Sequence, residues 1–311
     1  MIAEVVDEPI LVIAFNRPDH LSQLLARLRE VQPRSLFIAI DGPRGERPGD
    51  MERVQQCRDL LGSIDWDCTV KSLIREENLG CGRGVSGAIS WFFEHVEQGI
   101  ILEDDIIPVP SFFEFCSTLL DRYRNDDRVF AISGCNFVPP EALSHPDDPY
   151  RFSQVPHIWG WATWRRSWRK HQLDIAGWQK DLSPISLWSR AGHSLSGAVY
   201  WASTFELLAR GKVDTWDGQL VLASMSSGQL TATSNTNLIE NIGFGEDATH
   251  TVEDRRDLQP LGKARFPVKP VVVELDSSAD SWTRRHHFGA SWRGILRQTQ
   301  TYLLHYGKRA S

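Results

Sequence analysis

Two hydrophobic rhythms alternate along the first 135 residues. Ile10 to Phe15 is an unbroken apolar run, the pattern of a strand covered on both faces. Asn16-Arg17-Pro18 follows, with Pro18 suited to a first helical turn and Asn16 or Arg17 to the cap before it. Leu21, Leu24, Leu25 and Leu28 then return at helical spacing. Ser35 to Ile40 predicts a second strand, stopped by Asp41-Gly42-Pro43, and Val54, Cys57, Leu60 and Leu61 predict a second helix. Cys68 to Ile74 reads as a third strand. A glycine-rich stretch from Asn78 to Gly87 leads into a helix through Phe93 and Val96. Gly99 to Leu102 gives a fourth strand, Pro108 or Pro110 opens a phenylalanine-rich helix, and Arg128 to Ser133 gives a fifth strand. This alternation predicts an α/β fold with a mostly parallel central sheet flanked by helices and joined by right-handed crossovers. Arg17, Asp41 and the acids Glu103-Asp104-Asp105 fall at successive strand ends, the edge where such sheets bind nucleotides.

After Cys135 the rhythm changes. Val138 to Tyr150, rich in proline and acid, reads as a loop. An aromatic block runs from His157 to Trp164, with Arg165, Arg166, Arg169 and Lys170 behind it. Gly197 to Leu208 reads as helix, Trp216-Asp217 opens another helix through Met225, Leu230 to Thr233 is a short strand, and Asn241 to Thr251 is a polar loop. The organisation expected is a nucleotide-binding half over 1–135, an acceptor half of the same domain over 136–270, and a C-terminal basic extension over 271–311.

The formal net charge of −6 argues against a general nucleic-acid binder. The five cysteines form no CxxC pair and read as reduced thiols, and the acidic N-terminal stretch does not read as a signal peptide. No apolar run approaches the roughly 20 residues that span a bilayer, so a cytoplasmic protein is expected.

The acid triplet carries the chemistry. Adjacent carboxylates at a strand end repel one another, and a hard cation, Mg²⁺ or Mn²⁺, relieves that repulsion. A carboxylate about 4 Å from a phosphate oxygen repels it by about 4 kcal/mol at an effective dielectric near 20, so acids beside a diphosphate require a cation between them. A divalent ion also stabilises a diphosphate as it leaves. Glycosyl transfer from a sugar nucleotide is such a reaction. If the acceptor attacks from the far side, a second carboxylate must stand there as base. Asp217 is the candidate, with Asp214 its competitor; the ordinary role of Asp217 would be a helix cap. Trp159, Trp161 and Trp164 offer flat faces for sugar rings, although core packing must account for many of the 12 tryptophans. His250 would add a nitrogen ligand to the cation or touch phosphate. Gly82-Arg83-Gly84-Val85-Ser86-Gly87 matches a dinucleotide fingerprint, with Glu103 where a ribose acid would stand. Arg75 to Cys81 separate it from its strand, however, and Glu76 and Glu77 would repel a pyrophosphate. The glycines read equally well as a close approach of helix to sheet.

These residues resemble those of the GT-A glycosyltransferases, specifically the N-acetylglucosaminyltransferase I type and bacterial family-2-like enzymes. Pro9 to Arg17 is similar to that family's first strand, and Ile40-Asp41 to its second strand end. Glu103-Asp104-Asp105, with Pro108 and Phe112-Phe113-Glu114, resembles its metal motif, while Gly160-Trp161 and Trp216-Asp217 resemble its acceptor-side blocks. The likeness covers roughly residues 9 to 250. It implies that Arg17 and Asp41 hold the nucleotide, Glu103 lies near the donor sugar, Asp104 meets the ribose, Asp105 binds the metal and Asp217 is the inverting base. The long stem and membrane anchor of the Golgi members have no counterpart, and the loop ending at His250 is more similar to GT-A enzymes with a late metal-binding histidine.

The reading is a metal-dependent inverting glycosyltransferase. Its donor would be a nucleotide sugar, UDP-linked by the resemblance, and its acceptor a glycan or lipid-linked glycan. Two alternatives come from other classes. A sugar nucleotidyltransferase would need a glycine-rich basic loop after its first strand, which Asn16-Arg17-Pro18-Asp19 is not. A non-catalytic sugar-binding module would explain the tryptophans but not the acids. Ser281 to Ser311 contains no acidic residue, and Trp292, Ile295, Leu296, Thr299, Leu303 and Tyr306 form a rough helical stripe. That stripe is expected either to pack or to rest on the inner face of a membrane.

Overall fold

Strand β1 (Ile10–Ala14) has no exposed side, and its alternation explains why. Ile10, Val12 and Ala14 enter one hydrophobic cluster while Leu11 and Ile13 enter another on the opposite face. The computed structural model describes residues 6–243 and 258–292. After β1 come α1 (Pro18–Val31), β2 (Ser35–Ile40), α2 (Asp50–Asp59), β3 (Thr69–Ile74), α3 (Gly80–His95), β4 (Gln98–Glu103), β5 (Ile106–Pro108), α4 (Ser111–Arg122) and β6 (Val129–Ser133). Then follow β7 (Tyr150–Ser153), β8 (Trp161–Trp164), α5 (Arg165–Trp168), α6 (Pro184–Arg190), α7 (Leu195–Ala209), α8 (Asp217–Ser227), β9 (Leu230–Ser234), β10 (Ile239–Asn241) and α9 (Ser277–His286).

Eight strands form one mixed, mostly parallel sheet in the order β3-β2-β1-β4-β8-β6-β9-β7. Pairs β1–β2, β2–β3, β1–β4 and β6–β9 are parallel, whereas β8 lies antiparallel to both β4 and β6, and β7 to β9. Helices α1, α2 and α4 cover one face, and α3, α5 and α8 the other. The fold is α/β and Rossmann-like. The spacing in α1 gives what it predicts: Leu21, Leu24, Leu25 and Leu28 are all buried, and Pro18 stands in the first turn.

The aromatic block is the main departure. Trp161-Ala162-Thr163-Trp164 is a buried central strand between β4 and β6. Aromatic and β-branched residues suit a pleated position covered on both faces, so their clustering reports packing. Because β8 lies between β4 and β6, the expected halves 1–135 and 136–270 share one sheet. The described part of the C-terminal extension is a packed element: the Asp276 N–H donates to the Phe152 carbonyl, and the Gln154 N–H donates to Asp280 at 2.8 Å. His250 and the stripe from Ile295 to Tyr306 lie outside the described residues. Among the described residues no helix is long and apolar enough to cross a membrane.

Candidate active site

Because β2, β1 and β4 are adjacent and parallel, the residues after them converge on one edge. Only Phe15, Asn16 and Arg17 separate β1 from α1, so Arg17 is held at the helix start. Its guanidinium forks across two acids, pairing with Asp104 and donating to Asp105 Oδ2 at 2.9 Å. Asp104 is buried and also accepts the Phe15 N–H at 3.4 Å. Asp105 belongs to the connection between β4 and β5. Its carbonyl accepts the Ile242 N–H at 2.9 Å, and a side chain on Gly243 would collide with its carboxylate. The chain therefore leaves β10 directly over Asp105, at the start of the segment that contains His250.

Electrostatically the edge is negative. Three carboxylates face one guanidinium. Burial, then the charges of Asp105 and Asp104, push Glu103 well above the usual carboxylate range, and Asp217 adds to the effect. Asp104 is raised by burial, with Arg17 opposing. At Arg17 burial acts downward, but the charges of Asp104 and Asp105 outweigh it and its pKa rises. The Cys81 thiol is pushed up to about 12 by burial and by the fields of Glu103, Asp217 and Asp214, which favours its protonated form.

Asp41 stands at the end of β2 as expected but is heavily engaged. It accepts from Leu79 N–H and Asn78 Nδ2, each at 3.0 Å, and faces Arg75 at 3.6 Å, so it anchors the start of α3. Burial nevertheless raises its pKa above the usual value. The glycines of the fingerprint lie inside this helix. A Cβ on Gly82 would stand 2.7 Å from Asp214 Oδ1 and 3.0 Å from the Thr215 carbonyl, and one on Gly84 would stand 3.1 Å from Asp41. They permit close packing of α3, and no dinucleotide is needed to explain them.

Asp217 is the first residue of α8, with Trp216 at the cap position. One carboxylate oxygen accepts from Thr215 Oγ1 at 2.5 Å and from Gly218 N–H at 2.8 Å. The turn before it is pinned from three sides. Asp214 accepts the N–H groups of Cys81 and Gly82 at 3.0 and 2.9 Å, capping α3 from a distant part of the chain. His171 Nε2 meets the Trp216 carbonyl at 3.0 Å, and Trp216 stacks on Trp161. Burial holds His171 down at about 4, so it is neutral at pH 7 and donates to that carbonyl. Trp161, expected as a sugar platform, is only 1% exposed; its ring supports the turn instead of facing a ligand.

The structure thus brings Arg17, Asp104 and Asp105 into contact, and places Glu103 within the field of Asp217. Thr215 and His171 are the additions, and only adjacency to Asp217 marks the first in the sequence; Asp214, weighed against Asp217 as the base, instead caps α3. Among the described residues no three His, Cys, Asp or Glu side chains form a ready-made metal cage. The donor set fits the other kind of site, in which one or two carboxylates share the ion with substrate phosphates. The charge excess over Arg17 is the observation that such an ion would answer.

No protein-family model matches the chain. Among solved structures it is similar to a UDP-glucose pyrophosphorylase complexed with UDP-glucose, at 10% identity and TM-score 0.38, over 73% of this chain and 90% of that one. It is also similar to mouse xyloside xylosyltransferase 1 in its apo form, at 12% identity and TM-score 0.36, over 71% and 81%. The inositol-1-phosphate CTP transferase from T. maritima matches at 9% identity and TM-score 0.32, over 74% and 86%. At such values no residue role passes from those proteins to this one.

Proposed function

We propose that this protein is a metal-dependent inverting glycosyltransferase of GT-A type, moving a sugar from a nucleotide sugar, UDP-linked in our reading, to a glycan or lipid-linked acceptor. The observation that carries the reading is the strand-edge cluster: Arg17 bridged to Asp104 and Asp105, with Glu103 behind them and Asp217 within electrostatic reach. Arg17 and Asp41 hold the nucleotide, Asp104 meets the ribose, and Glu103 lies by the donor sugar. Asp105 holds Mg²⁺ or Mn²⁺, with His250 as an added ligand. When bound, the ion supplies Lewis-acid stabilisation of the leaving diphosphate. Asp217 takes the proton of the acceptor hydroxyl through the carboxylate oxygen that Thr215 and Gly218 leave free, as that hydroxyl oxygen bonds to the anomeric carbon and the bond to diphosphate breaks.

The three-residue link between β1 and α1 speaks against the nucleotidyltransferase alternative, because it leaves no room for a glycine-rich phosphate loop. A screen of sugar nucleotides for slow Mn²⁺-dependent hydrolysis identifies the donor, and NMR of the released sugar gives its anomer. The expected product is inverted. Asp217→Asn lowers turnover by about 10²–10⁴-fold and leaves UDP binding with Mn²⁺ unchanged. A retained anomer, or full turnover in Asp217→Asn, contradicts the assignment.

A further inference from the structure

Residues 182–205 and residues 281–311 of this acidic chain each contain no Asp or Glu. The fold brings them together. Arg284 donates to the Ala191 carbonyl at 3.2 Å, Ser196 Oγ donates to the Ala290 carbonyl at 3.1 Å, and Phe288 packs edge-on against Trp201. The end of α9 is therefore docked on the turn between α6 and α7. Around this junction four large apolar side chains face water: Ile185 is 79% exposed, Leu195 64%, Trp292 56% and Trp188 42%. Arg285 is exposed in the last turn of α9 with Arg284 before it, and neither of the two stretches supplies an acid.

We infer that this corner is a membrane-contact surface for an anionic phospholipid bilayer. Exposed apolar side chains among cations, with no acid between them, form the pattern that inserts at the headgroup boundary of a negatively charged leaflet. Tryptophan suits that boundary, since its ring is apolar and its N–H is not. Charge decides between a bilayer and a second copy of the chain. A two-fold dimer through this patch would set the same cationic surface against itself, whereas an anionic leaflet complements it. The inference stands apart from the catalytic reading, because none of these residues belongs to the strand-edge cluster.

Co-sedimentation tests it, using the full chain with vesicles of phosphatidylcholine alone or with phosphatidylglycerol at a ratio of about 7:3. The wild type is expected to bind the anionic vesicles at least about tenfold more tightly than the neutral ones, and to release them as salt screens the charges. The triple variant Ile185→Ser, Trp188→Ser, Leu195→Ser is expected to lose about tenfold in binding with an unchanged melting curve. Arg285→Glu, which alters no apolar contact, is expected to weaken binding to the anionic vesicles only. Failure of the wild type to bind either vesicle overturns the inference, as does undiminished binding by a folded triple variant. A dimer that the triple variant dissolves, without vesicle binding, overturns it in favour of a second copy.

Discussion

Asp217 is half-buried and held in one pose. Thr215 donates to one oxygen at 2.5 Å, Gly218 N–H donates to the same oxygen, and the turn that carries all three residues is tied to α3 through Asp214. A base needs this pose, because proton transfer depends on a heavy-atom approach near 3 Å. Hydrogen bonds to a charged group are worth about 1.5–3 kcal/mol, and a tenfold rate change is about 1.4 kcal/mol. Thr215→Val is therefore expected to lower kcat about tenfold with little change in donor KM. Thr215→Ser, which keeps the hydroxyl, is expected to restore it. Unchanged kcat in Thr215→Val shows that the hydroxyl does not position the base. That Arg17 and the acid triplet share one sheet edge was legible, because strand ends of a parallel sheet converge; that Arg17 pairs with Asp104 and Asp105 was not. The role of Asp214 was not, because its partners Cys81 and Gly82 lie more than 130 residues earlier and no local pattern joins them.

At the scale of elements, the loop between β2 and α2 is held by one buried carboxylate. Asp50 has no exposed surface. It accepts from Arg44 Nε at 2.5 Å, from Asn16 Nδ2 at 2.7 Å and from Arg53 at 2.9 Å, which fixes the residue before Arg17. The Arg44 hydrogen bond, opposed by burial and aided by Asn16 and Arg53, holds Asp50 far below its ordinary value of 3.8. A carboxylate depressed in the folded state contributes stability that is complete above its unfolded pKa and is lost as pH falls through the folded one. Asp50→Asn is expected to cost roughly 1–3 kcal/mol near neutral pH, toward the lower end because Arg44 and Arg53 are partly solvated. It is also expected to flatten the fall in Tm below about pH 4. A variant whose Tm matches the wild type at pH 7 and falls as steeply in acid contradicts this. The hydrophobic pattern revealed β1, β2, β4, β6, α1 and α4, where an apolar run or a helical stripe carries the signal. It did not reveal β8, whose tryptophans also suit a binding face, or β7, whose buried Arg151 breaks the apolar pattern.

At the scale of the whole molecule, a Rossmann-like sheet gathers its charges at one edge and an acid-free corner elsewhere. The edge was readable because parallel strands must end together. The corner was only half readable: the acid-free C-terminal stretch is evident in the sequence, but its contact with the α6–α7 turn exists only in the folded chain. The acids at the end of β4 are proposed to bind a nucleoside diphosphate through a divalent ion. Isothermal titration of the full chain with UDP, in the presence of Mn²⁺ and then of EDTA, tests it most directly. Binding is expected with Mn²⁺, weakened at least about tenfold in EDTA and lost in Asp105→Ala. UDP binding that is indifferent to the metal, or equal in Asp105→Ala and the wild type, would contradict it.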